Sequence, residues 1–105
     1  MLAHVCLDSD GGICVYEGTN DEGKEVATVP AAAMVLLGMW DETRPGFSWE
    51  GDTERASELL GWMLEDAGYR VDLRYIPEFN RNMHSLCTPG PFNGGGFMTA
   101  LESVR

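Results

Sequence analysis

One stretch constrains this chain more than any other. From Thr53 to Gly68, apolar residues recur at every third or fourth position. Ala56, Leu59, Leu60, Met63 and Ala67 fall on one face of a helix, and Glu58, Glu65 and Asp66 lie off the centre of that face. Asp52 or Thr53 can cap the start, Glu54 suits the first turn, and Gly68 supplies the stop. A helix with one apolar face is stable only against a second apolar surface, so the rest of the chain has to provide one.

The first 29 residues have the pattern of a three-stranded meander. Ala3–Leu7, Ile13–Glu17 and Glu25–Val29 are short β-rich runs. Asp8-Ser9-Asp10-Gly11-Gly12 and Gly18–Gly23 separate them with residues that tolerate the positive φ of tight turns. Farther on, Tyr69, Val71, Leu73 and Tyr75 alternate with Arg70, Asp72 and Arg74. That pattern predicts a strand over 69–76 with the four apolar residues on one buried face. The fold class is therefore α+β: a small antiparallel sheet, made of the N-terminal meander plus strand 69–76, packed against two helices.

The other helix is expected from Pro30 to Trp40. Proline fits the first helical position, and the run Ala31–Trp40 is apolar on every side, which predicts burial all round or an interface. Pro77 is read as the end of the strand. Asn82–Cys87 is expected to return as a further strand, because a structureless loop from Pro77 to Gly96 would be unusual in a compact domain. Phe97, Ala100, Leu101 and Val104 have helical spacing and predict a short C-terminal helix, with a strand as the alternative.

At 105 residues the chain fits a single domain spanning 1–105. Its 17 acids and 7 bases give a net charge of −10, and the excess is uneven. Residues 1–66 carry 14 acids and 3 bases, whereas residues 67–105 carry 3 acids and 4 bases. Such a charge disfavours direct contact with nucleic acid, where phosphate neutralisation dominates affinity, and with anionic membranes. The N-terminus lacks the pattern of a signal peptide. The longest apolar run, Val29–Trp40, is too short to span a bilayer. Three cysteines, an odd number, suit free thiols in a reducing compartment, so a cytoplasmic location is expected.

Every cysteine and histidine lies near one end of the chain or the other: His4, Cys6 and Cys14, then His84 and Cys87. His4 and Cys6 share a strand face, and a five-residue turn would set Cys6 opposite Cys14. Four such ligands could hold a zinc ion, but no CxxC knuckle or common zinc spacing is present. Cys87 with His84 could act as nucleophile and base. Asn93-Gly94-Gly95-Gly96 before a helix could bind phosphate, although it matches neither established phosphate-loop pattern. Asp8-Ser9-Asp10-Gly11 resembles the start of a calcium loop but lacks the later ligands, and a hairpin turn is expected instead. Neither a catalytic set, a metal site nor a cofactor is assigned. The two alternatives kept open are a metal-binding protein using these five residues and a small enzyme using Cys87.

The aromatic residues Trp40, Phe47, Trp49 and Trp62 bracket the link between the two helices, among Asp41, Glu42, Glu50, Asp52, Glu54 and Glu58. Trp62 points about 100–120° away from the centre of its helix's apolar face. Exposed tryptophan is a common anchor of protein interfaces. The expected binding residues are Trp62, Trp49, Trp40, Glu50, Asp52, Glu54 and Glu58, and the expected partner is a protein with a basic surface. The function class is a small acidic protein-binding module. By analogy of composition it compares with inhibitors that occupy the nucleic-acid groove of a nuclease or defence complex, of the phage counter-defence or toxin-immunity type.

Overall fold

The computed structural model describes residues 1–40, 51–87 and 96–105. It is an α+β fold with one five-stranded antiparallel sheet. The elements run β1 (Leu2–Leu7), β2 (Ile13–Glu17), β3 (Glu25–Val29), α1 (Ala31–Leu36), α2 (Thr53–Asp66), β4 (Tyr69–Val71), a 3-10 turn (Leu73–Tyr75), α3 (Ile76–Cys87) and β5 (Gly96–Ser103). The strand order is β3-β2-β1-β5-β4.

The N-terminal meander forms as its turn residues dictate. Gly11 takes φ +100°, and the hairpin closes through Asp8 N donating to Gly12 O at 2.7 Å. Val5 pairs with Val15 and Phe97, and Cys6 pairs with Cys14. Ala3, Val5, Ile13, Val15 and Val29 all point into the core, where they meet Met34, Ala56, Leu60, Leu64, Phe79, Met83 and Leu86 from the helices and Met39 from the segment after α1. β1 holds the middle of the sheet, and α2 packs against both edge strands, β3 and β4.

α2 is as the spacing implies, capped by the Asp52 carboxylate, which accepts from Arg55 N at 2.9 Å, and followed by Gly68 at φ +97°. Its buried line is Ala56, Ser57, Leu60 and Leu64, rotated slightly from the expected face, so that Leu59 and Met63 are half-buried and Ala67 is exposed. α1 is much shorter than expected. Gly38 takes φ +72°, Gly38 N bonds to Val35 O, and Met39 N bonds to Met34 O. This paired closure stops the helix before Gly38. Within α1 only Met34 is fully buried, and Leu36 is 88% exposed, so the helix is not enclosed on every side.

The second half of the chain departs most from expectation. The strand expected over 69–76 stops at Val71. Asp72 accepts from Arg74 N at 3.0 Å and starts the 3-10 turn, which swings Leu73 out to 66% exposure and Tyr75 to 39%. Pro77 is the second residue of α3, a first-turn position where its missing N–H costs nothing, and not the end of a strand. Asn82–Cys87 belongs to that same helix, whose Phe79, Met83 and Leu86 are buried at helical spacing. The C-terminal tail is the strand β5, with Thr99 and Leu101 buried on one face. Phe97 meets Phe79 edge to face at 5.8 Å.

Candidate functional site

The outer side of α2 presents Glu54, Glu58, Gly61, Trp62 and Glu65, positions spaced to fall on one side of a helix. Across from them stand Val71 of β4, Leu73 of the 3-10 turn, and Ile76, Phe79 and Asn80 of α3. Together they form an open groove of about 390 Å³. Its apolar surface comes from Trp62 (53% exposed), Leu73 and Ile76, with Phe79 buried beneath. The groove thus gathers three large, exposed hydrophobic side chains in one concavity.

Acids dominate the rim along α2. Arg55 is an exception, but it is held by Glu58 at 2.9 Å and its guanidinium lies 5.1 Å from the centre of the Trp62 ring. Arg70, at the far wall, pairs with Glu102 at 3.1 Å. Arg74 pairs with Asp72 at 2.7 Å, and this pair holds the Asp72 carboxyl below its usual range, at about 2. Arg55, Arg70 and Arg74 are therefore matched by carboxylates of the same chain, and Arg105 stands beside Trp62, Glu65 and Asp66 near the end of α2. Glu54 and Glu65 have no ion-pair partner among the described residues.

Gly61 sits inside α2, in the wall of this groove, and a Cβ built there would meet nothing within 4 Å. The contrast with Gly11 is instructive: a Cβ at Gly11 would collide with the Trp40 ring, and its φ is positive. Gly11 serves the fold, whereas packing among the described residues gives no reason for a glycine at 61.

The expected binding residues separate. Trp62, Glu54 and Glu58 share the groove. Asp52 is used by the cap of α2. Trp40 packs over the Gly11 turn and borders the core. Trp49 and Glu50, like Asp41, Glu42 and Phe47, lie outside the described residues. Leu73 and Ile76 were missed because alternation assigned Leu73 to a buried strand face. The available signal was Pro77-Glu78, a good first turn, followed by Phe79, Met83 and Leu86 at helical spacing.

The described cysteine and histidine side chains do not converge. His4, Cys6 and Cys14 lie on the sheet face opposite the core residues of β1, whereas His84 is exposed on α3, which packs on the core side. The Cys87 side chain is outside the described residues, so its expected approach to His84 is not described. Among the described residues no three His, Cys, Asp or Glu side chains form a metal-holding group. Cys14 donates its thiol proton to Asp8 at 2.7 Å. Burial, then this bond, pushes its pKa up to about 11. Burial, then repulsion from Asp8, Asp21 and Glu25, raises Cys6 as well. These are the reverse of the conditions that activate a thiolate. The Gly-rich run ends at Gly96 and enters a strand, not a helix, which removes the helix start on which a phosphate site was argued.

No family model, curated protein or solved structure matches this chain. No helix among the described residues is long and apolar enough to cross a membrane.

Proposed function

We propose that this chain is an acidic protein-binding module that seats a basic protein surface on the outer side of α2. The observation that carries the reading is the exposed Trp62 among Glu54, Glu58 and Glu65 in one groove. Acidic side chains steer a basic partner into encounter, and a desolvated tryptophan slows its release. The net charge of −10 extends the same field beyond the contact. The class of partner that best fits this chemistry is a protein whose basic surface serves nucleic acid, such as a nuclease or defence complex, which the module would occupy and block.

The test is binding kinetics with a captured partner at two ionic strengths. Raising salt should slow association, because screening shortens the reach of the field. Glu54→Lys with Glu58→Lys should chiefly lower the on-rate, and Trp62→Ala should chiefly raise the off-rate. Duplex DNA should compete for the partner. Association indifferent to salt and to both charge reversals rejects the electrostatic reading, and a partner that binds DNA and this chain simultaneously rejects the blocking role.

A further inference from the structure

Resting on that reading, we infer that the occupant of the groove is a basic amphipathic helix of the partner, laid along α2 and crossing it at Gly61. Three features of the groove specify such an occupant.

The first is shape. The α2 side of the groove runs from Glu54 to Glu65, about 16 Å at the rise of a helix. That length matches three turns of a partner helix lying along α2, with Leu73 and Ile76 on the facing wall. The second is pattern. Leu73 and Ile76 are exposed apolar anchors on one wall and Trp62 on the other, and Glu54, Glu58 and Glu65 follow the length of α2. An occupant must therefore carry one apolar stripe flanked by Lys or Arg, which is how an amphipathic helix lies in a groove.

The third is Gly61. Glycine is the poorest helix former after proline, and it stands in the interior of α2. Among the described residues no neighbour needs the missing Cβ, since a Cβ there would meet nothing within 4 Å. A glycine opening on the solvent side of a helix lets another backbone come close. Helix packing distances fall as the residues at the crossing point shrink. The residue that weakens α2 thus lies where a partner helix would make its nearest approach.

The probe is an 18-residue peptide of leucine and lysine patterned to form one apolar and one basic face. Its controls are the same composition scrambled so that no apolar face forms, and the same pattern with glutamate for lysine. Titration into the full chain is followed by NMR. The amphipathic basic peptide should move the Gly61 amide, the Trp62 indole and the Leu73 and Ile76 methyls, and bind at least tenfold tighter than the scrambled peptide. Gly61→Leu puts a bulky side chain at the crossing point, starting from a Cβ that meets open space among the described residues. It should lower affinity at least tenfold without lowering the melting temperature, since leucine is a better helix former than glycine, and Leu73→Ser, at an exposed position, should lower affinity as much with little change in stability. If the scrambled peptide binds equally and Gly61→Leu has no effect, while Glu54→Lys with Glu58→Lys still weakens binding, the helix inference fails and the basic-partner reading stands. If neither basic peptide binds, or the glutamate peptide binds as tightly, both fail.

Discussion

Leu60 and Leu73 carry the same side chain and have opposite roles. Leu60 is fully buried beneath the sheet, and Leu73 is 66% exposed on the 3-10 turn. Leu60→Ala is expected to cost about 2–5 kcal/mol in a denaturant titration, the range for a buried leucine. Leu73→Asp, which a buried strand position would make lethal to folding, should shift stability by less than about 1 kcal/mol, as surface changes do. Equal losses at the two positions would return residue 73 to the core. Cys14 gives a pH prediction at the same scale. Its folded pKa is raised from 9.0 to about 11 by burial and the Asp8 bond. The unfolded thiol therefore loses its proton first, and the stability due to the neutral thiol is complete below pH 9 and disappears as pH rises toward 11. Tyr16, raised chiefly by its hydrogen bond to Cys14, acts in the same direction. Melting temperatures from pH 8 to 11 should fall more steeply for the native chain than for Cys14→Ala, and parallel profiles would remove Cys14 from the account.

Among the elements, α2 was the most legible, because fourteen residues allow the 3.6-residue period to repeat and the Asp52 cap and Gly68 stop agree with it. The meander was legible for a related reason: its turn residues leave few alternatives to hairpins. β5 was not. Phe97, Thr99 and Leu101 alternate, while Phe97, Ala100, Leu101 and Val104 have helical spacing, and eight residues cannot separate the two periods. Pairing with β1 and β4 settles the matter by satisfying its backbone groups on both sides. Gly61 tests α2 directly. Gly61→Ala should stabilise the chain by about 0.8–1.0 kcal/mol, the difference in helix propensity, since the added methyl meets open space. A loss of stability in thermal or urea unfolding would mean that something packs there.

For the whole molecule, a net charge of −10 on 105 residues works against compaction. Screening should relieve it, so the melting temperature should rise between about 10 and 150 mM salt, as the screening length shrinks from roughly 30 Å to 8 Å. A flat or falling profile would mean that internal pairs such as Arg70–Glu102 matter more than the overall repulsion. The same screening should weaken partner association, so stability and binding are expected to respond to salt in opposite senses.

Periodicity and turn chemistry act between neighbours in the chain, so the sequence by itself determined the meander, α2 and the outward aim of Trp62, and narrowed the cap to Asp52 or Thr53. The groove had a different origin. It exists because Asp72 turns the chain after Val71, which brings Leu73, Ile76 and α3 alongside α2, and because β4 pairs with β5 at the sheet edge. The Asp72 turn is local, but the β4–β5 pairing and the seating of α3 beside α2 are contacts between segments distant in sequence. A local alternation such as Tyr69–Tyr75 cannot record where the chain leaves the sheet, since that depends on which surface its apolar residues find.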